Sequence, residues 1–191
     1  MISAIVLAAG NSVRMGKQNK LLLPYGNTTI IEQVVDQLLN SQAEEVVVVL
    51  GHEQNKVKAA LGARPVKLVF NSRYQTGMTS SIQTGVAAAS PRARGYLICL
   101  GDMPALTAAD YNAVMAGAGE KPEIRVPVFQ GQKGNPVYFS SHFREALLAH
   151  KEPEGCRGLV QQHAGKVVKV VVGHGRILSD IDTPEDYQGY R

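Results

Sequence analysis

The chain has 191 residues, enough for one substantial hydrophobic core and short for two independent ones. Its hydrophobic fraction of 45%, charged fraction of 19% and net charge of +4 are those of a globular protein with a mild basic excess. There is no Lys/Arg block and no Trp, which argues against a nucleic-acid tail or a stacking platform and favours a charged small molecule as the partner.

No apolar run approaches a membrane span, and the N-terminal segment enters a strand rather than a signal peptide, so a cytoplasmic protein without a membrane partner is expected. Cys99 lies in an apolar run and reads as a small core residue. Cys156 lies in a polar segment and reads as exposed. Far apart in sequence, the two form neither a C-x-x-C pair nor a disulfide framework.

Ala4-Ile5-Val6-Leu7 reads as a buried strand. It is followed by a polar loop and then Leu21-Leu22-Leu23-Pro24. Thr28 or Thr29 caps a helix whose apolar positions Ile30, Ile31, Val34, Val35, Leu38 and Leu39 keep helical spacing. The unbroken β-branched run Val46–Leu50 predicts a strand covered on both faces, as in a parallel sheet. A helix from Glu53 to Leu61 ends at Gly62. Val66–Phe70 is the next strand and Asn71–Gly77 a polar connection. A helix over Thr79–Ala89, with Thr79 or Ser80 as a cap, stops before Pro91. Tyr96–Leu100 is a strand followed directly by Gly101-Asp102-Met103-Pro104, and Thr107 caps a helix reaching Met115.

Further on, Ile124–Phe129, Pro136–Phe139 and Val167–Val172 read as strands. His142–Ala149 and Gly158–His163 read as helices, and Pro184 opens a short terminal helix. This alternation predicts a single domain over residues 1–191. It is a Rossmann-like, doubly wound α/β fold, with a mostly parallel sheet and helices on both faces. Ligands bind such sheets beyond the carboxyl ends of strands, where the strand order reverses.

The loop Gly10-Asn11-Ser12-Val13-Arg14-Met15-Gly16-Lys17-Gln18-Asn19-Lys20 leaves one such strand end. Its two glycines let backbone N–H groups approach a ligand, and Arg14, Lys17 and Lys20 supply positive charge, which together suit a polyphosphate. Five residues separate the glycines and Gln18 follows Lys17, so it is not a Walker A loop; nor is there a G-x-G-x-x-G. Asp102, at another strand end, is placed either to hold a hard cation such as Mg²⁺ through oxygen or to cap a turn. Asp180 and Asp182 project to one side of an extended segment, and Asp182 reads either as a cap for the Pro184 helix or as a second metal ligand. The segment from Asn71 to Ser81 is dense in small hydrogen-bonding groups suited to a base or ribose. Gly131–Val137 is a Gly-rich turn with a cation, Lys133, and reads equally as a plain hairpin turn.

In combination these pieces resemble the molybdenum cofactor nucleotidyltransferase family, whose fold is the nucleotide-diphospho-sugar transferase type. The resemblance runs through Leu7-Ala8-Ala9-Gly10-x-Ser12-x-Arg14-Met15-Gly16 with Lys20, then Asn71, Gly77-Met78-x-x-Ser81 and Gly101-Asp102-Met103-Pro104. It continues in Lys133-Gly134-x-Pro136 and Asp180-x-Asp182-Thr183-Pro184-Glu185-Asp186, covering nearly the whole chain. Ala9 and Gly101 are similar to the cytidylyltransferase branch rather than the guanylyltransferases. Asn135, Lys133 and Pro153 depart from the family's more usual His, Arg and acidic residue.

The resemblance implies transfer of CMP from CTP to the terminal phosphate of molybdopterin or molybdenum cofactor, with release of pyrophosphate. It implies Mg²⁺, or Mn²⁺, on Asp102 and Asp182. Leu7, Ala8, Ala9, Gly10, Asn11, Ser12, Arg14, Gly16, Lys20, Asn71, Ser81 and Asp102 would bind the nucleotide. Ala8 and Ala9 would line the base pocket, and Arg14, Lys20 and Asp102 would be catalytic. Lys133, Gly134, Asn135 and Pro136 would face the acceptor. Three alternatives stay open: GTP as donor, a sugar or alditol phosphate as acceptor, and a non-catalytic cofactor carrier serving a molybdenum hydroxylase.

Overall fold

The computed structural model describes residues 1–11, 18–153 and 155–189. The first apolar run forms β1 (Ile2–Ala8). A 3₁₀ turn over Lys20–Leu22 leads into a small hairpin of β2 (Pro24–Tyr25) and β3 (Thr28–Thr29). α1 (Ile30–Leu39) starts at Thr29, which shares a capping box with Glu32. Then come β4 (Glu45–Leu50), α2 (Gln54–Leu61), β5 (Lys67–Phe70), α3 (Met78–Ala88), β6 (Gly95–Leu100) and α4 (Ala108–Met115). The last part holds β7 (Ile124–Phe129), β8 (Gln132–Lys133), β9 (Val137–Ser140), α5 (Arg144–Ala149) and α6 (Arg157–Gln162). β10 (Val167–Val171) and α7 (Pro184–Gln188) follow.

The main sheet runs β10-β7-β9-β6-β1-β4-β5, with β8 added to β7. β1 pairs in parallel with β4 and β6, and β4 with β5, so the chain moves outward from β1 and then returns to its other side. That reversal puts a switch point at the carboxyl ends of β1 and β6, as the alternation predicts. β9 runs antiparallel to β6 and β7. The sheet is therefore mixed but mostly parallel.

The unbroken apolar strands sort their side chains alternately onto the two faces. Ala4, Val6 and Ala8 of β1, with Val46, Val48 and Leu50 of β4, pack with α1, α2 and α4. Ile5, Val47 and Val49 pack on the other side, with Ile82 and Val86 of α3 and Leu147 of α5. α3 sits close to the sheet because residue 85 is Gly: a Cβ there would lie 2.2 Å from a methyl of Ile5.

Several local expectations change. α3 takes Gly77 rather than Thr79 or Ser80 as its cap, because both hydroxyls are used elsewhere: Ser80 donates to the carbonyls of Arg73 and Gly77, and Thr79 to that of Glu152. Residues 141–143 form a 3₁₀ turn before α5 rather than part of its helix. Cys156 is half-buried rather than exposed, and burial pushes its thiol up to about 12. Cys99 is a core residue, 1% exposed. Among the described residues no helix is long and apolar enough to cross a membrane.

Candidate functional site

A cleft of about 430 Å³ opens at the switch point. Leu7 and Leu100 form its apolar floor; Ala9, Gly10 and Asn11 come from the end of β1, and Tyr74, Gln75, Gly77, Met78 and Ser81 from the start of α3 and the loop before it. The walls can approach because residue 51 has no side chain: a Cβ on Gly51 would sit 2.7 Å from both the Cβ and the carbonyl oxygen of Ala9 and 2.8 Å from the Cβ of Tyr74.

Lys20 reaches the cleft from the 3₁₀ turn. Asn19 caps that turn by accepting from the Leu21 N–H at 3.1 Å, and buried Leu21 anchors it in the core. Asp102 follows β6 directly. Asp182 arrives from the far end of the chain, on a segment tied down where the Ile181 N–H donates to the Asp102 carbonyl at 3.0 Å. The Lys20 ammonium lies 2.5 Å from Asp102 Oδ2 and 2.8 Å from Asp182 Oδ1.

Burial opposes charge on both Lys20 and Asp102. Around Lys20 the two carboxylates outweigh that cost and hold its pKa above the ordinary lysine value. For Asp102 burial wins, and its carboxyl is pushed above the ordinary range despite Lys20, with Asp180 and Asp182 adding like charge.

Asp182 does not cap α7. Thr183 does, with a capping box to Asp186, which also accepts from the Asp182 N–H at 3.0 Å. The backbone is thus held by other groups while the Asp182 carboxylate turns to Lys20.

The residues read for nucleotide and metal separate into three sets. Leu7, Ala9, Gly10, Asn11, Lys20, Ser81, Asp102 and Asp182 line one cleft. The side chains of Ala8 and Asn71 do not. Strand alternation turns Ala8 into the core, 1% exposed, and Asn71 is 2% exposed behind the wall. There its amide donates to the Ser80 and Ser81 hydroxyls at 2.8 and 3.0 Å, so it orients Ser81 rather than lining the cleft. Ser12, Arg14, Gly16 and Lys17 lie outside the described residues.

A second cleft of about 630 Å³ shares Met78 and Leu100 with the first. Lys133, Gly134 and Asn135 line it, facing Arg157 and the apolar side chains of Val126, Val137 and Val160. Pro136 follows through a cis peptide bond with Asn135. The turn before Lys133 is the plain hairpin that its sequence allowed, with Gln130 and Gly131 both at positive φ joining β7 to β8. Gly134 is held against the segment leading to Asp182: the Asn135 N–H donates to the Ile177 carbonyl at 2.9 Å. The loop before α6 docks on the first turn of α3, where the Met78 N–H donates to the Pro153 carbonyl and the Gly155 N–H to the Thr79 hydroxyl.

Sequence patterns did not single out Leu21, Tyr74, Gln75 and Leu100 for the first cleft. For Tyr74 and Gln75 the signal was present in the polar stretch after β5. For the apolar members none was available, since a floor residue and a core residue look alike in sequence.

The family description "MobA-like NTP transferase domain" matches residues 4–167. The chain is 36% identical to nicotine blue oxidoreductase of Paenarthrobacter nicotinovorans, over 100% of this chain and 95% of that protein. It is 35% identical to purine catabolism protein PucB of Bacillus subtilis, over 98% and 94%. It is 25% identical to the molybdenum cofactor cytidylyltransferase of Escherichia coli, over 97% and 93%. Among solved structures, a nucleotidyl transferase from Methanothermobacter thermautotroptrophicus superposes with a TM-score of 0.89 at 25% identity, covering 100% of this chain and 96% of that one. A manganese complex of Rv0371C from Mycobacterium tuberculosis superposes with a TM-score of 0.82 at 27% identity, covering 99% and 97%.

Proposed function

Because the chain belongs to the family of MobA-like NTP transferase domains and is a nucleotidyltransferase, we propose that it transfers CMP from CTP to the terminal phosphate of molybdopterin or molybdenum cofactor. The observation that carries this reading is the meeting of Lys20, Asp102 and Asp182 at the switch point, in a cleft that shares a wall with a second one.

A phosphate oxygen of the acceptor attacks the α-phosphorus of CTP. A new P–O bond forms, the bond to the β-phosphate bridging oxygen breaks, and pyrophosphate leaves. This chemistry needs positioning and charge compensation rather than a covalent nucleophile. Lys20 stabilises charge at the α-phosphate, Arg14 and the Gly10–Gly16 backbone cradle the outer phosphates, and Ala9 and Ser81 contact the nucleoside. Lys133, Gly134, Asn135 and Pro136 bind the acceptor; Lys133 and Arg157 beside the valine-lined wall of the second cleft suit a phosphate carried on a flat ring.

The residues present fit a divalent cation, Mg²⁺ or Mn²⁺. Two carboxylates from distant segments converge on one point, and Asp102 Oδ1 is buried without a hydrogen-bond partner among the described residues. No group of three or more His, Cys, Asp or Glu gathers there among those residues, so water and phosphate oxygens would complete the shell, a common arrangement for Mg²⁺. When bound, the ion supplies charge neutralisation on the phosphate oxygens.

The departures at Lys133, Asn135 and Pro153 favour a second reading, in which the same chemistry serves another phosphorylated acceptor such as a sugar or alditol phosphate. A panel of four nucleoside triphosphates against molybdopterin and these acceptors, read by pyrophosphate release, separates the two. CTP with molybdopterin should give the highest kcat/KM. GTP as the preferred donor would overturn the donor assignment. No release with any pair would leave the cofactor-carrier reading, with a molybdenum hydroxylase as partner, in its place. As one relative is named an oxidoreductase, the panel is also read for oxidation of reduced nicotinamide, and none is expected.

A further inference from the structure

We infer that Lys20 is an exchangeable counter-ion: in the nucleotide-free protein its ammonium holds the place between Asp102 and Asp182 that a divalent cation takes once nucleotide is present. The inference rests on the metal reading of these two aspartates given above.

Among the described residues the ammonium lies 2.5 Å from Asp102 Oδ2 and 2.8 Å from Asp182 Oδ1, and both carboxylates are those proposed as metal ligands. The side chains of Lys20 and Asp102 are 14% and 15% exposed and that of Asp182 37%, so water is largely kept from the Asp102 side of the site. A divalent cation entering beside the ammonium would face a like charge at close range in a medium that screens it weakly. It binds well only if the ammonium leaves.

A nucleoside triphosphate supplies the place to go. Its phosphates would draw Lys20 off the carboxylates, and the vacated oxygens would accept the metal. Lys20 is well placed for such a move, because its backbone is fixed by Asn19 and Leu21 while its side chain is a flexible stem ending in a point charge. Metal affinity and nucleotide affinity are then coupled through one side chain, and the coupling is reciprocal. The device keeps the two aspartates from repelling each other when no substrate is present, and keeps them from retaining metal unproductively.

The test uses Mn²⁺ alone, without nucleotide, followed by electron paramagnetic resonance of the free ion. Wild type should bind weakly. Lys20→Gln should bind at least about tenfold more tightly, and adding Asp102→Asn to it should abolish the gain. Equal affinity in wild type and Lys20→Gln, with both losing Mn²⁺ on Asp102→Asn, would overturn the exchange while leaving the metal site standing. No Mn²⁺ bound through Asp102 in any variant would overturn both.

An arm on the unaltered protein guards against a Lys20→Gln chain that does not fold. Acetic anhydride labelling of Lys20, read by mass spectrometry against exposed Lys56, should rise severalfold at saturating Mn²⁺ as the ammonium is driven off. Unchanged labelling at saturation contradicts the exchange.

Discussion

The Lys20 ammonium and the Asp182 carboxylate meet at 2.8 Å across 162 residues of sequence, and Asp102 joins them from a third segment. Three parts of the chain thus deliver charge to a single point at the carboxyl edge of the sheet. The reaction proposed for this protein depends on what each of those groups does.

Lys20→Met and Asp102→Asn should separate binding from chemistry. Removing a charge that acts on the transition state lowers kcat far more than it raises KM. Each variant is expected to lose about 10²–10³-fold in kcat, while the KM for CTP changes by less than about tenfold. Steady-state pyrophosphate release over a CTP titration checks this; a pure KM effect for Lys20→Met would reassign it to ground-state binding.

Asp182 and its neighbour Thr183 should behave differently. Thr183→Ala removes the α7 cap and should cost about 1 kcal/mol of stability, with kcat within about threefold of wild type on stability-neutral chemistry. Asp182→Asn should leave the thermal midpoint nearly unchanged or raise it, yet raise the metal concentration needed for half-maximal rate. The reverse pattern would make Asp182 a structural residue.

Gly134→Ala tests the wall of the second cleft. A Cβ there would lie 2.2 Å from the Ile177 carbonyl oxygen, so backbone must shift and the Asn135–Ile177 hydrogen bond weakens. The expected cost is about 1–3 kcal/mol, with the KM for the acceptor rising and the affinity for CTP little altered. Calorimetry with CTP alone and kinetics with varied acceptor distinguish the two effects.

Much of this arrangement was legible in the sequence, and the limits are physical. Runs such as Val46–Leu50 specify buried strands, and the spacing of Ile30, Ile31, Val34, Val35, Leu38 and Leu39 specifies α1, where the first five are buried and Leu39 is half-buried. Asp102 and Asp182 were each readable as a cap or a ligand. Only the fold shows that Thr183 takes the cap and leaves Asp182 to Lys20, since their contact is set by tertiary structure and not by local pattern. The antiparallel entry of β9 was likewise hidden, because an apolar run does not encode the direction of its neighbours. Ala8 was misplaced for a simpler reason: in β1 adjacent residues face opposite sides, and Leu7 and Ala8 cannot both point at one cleft.

The strap that carries Asp182 is fastened at Asp110, and this contact should set part of the acid stability. Burial works against the Asp110 carboxylate. Arg176, at 3.1 Å, and the Thr107 backbone and hydroxyl, each at 2.8 Å, outweigh it and hold its pKa below the ordinary 3.8; His174 also lies at 2.8 Å. A depressed folded pKa gives stability that is present above the unfolded value and is lost as pH falls through the folded one. Asp110→Asn should therefore be less stable than wild type at pH 7 by about 1–3 kcal/mol, and the difference should shrink as pH drops below about 4. Thermal midpoints of both proteins from pH 7 to pH 3 check it; a constant difference would remove the charge from the explanation.

The central claim, cytidylyl transfer to a phosphorylated pterin, is tested most directly by following label from CTP. With molybdopterin and Mg²⁺, CTP labelled at the α-phosphate should pass its label to the acceptor, and CTP labelled at the γ-phosphate should deliver it only to pyrophosphate. Label from the γ-position in the acceptor, or no transfer of α-label from CTP while another nucleotide or acceptor supports it, would contradict the account.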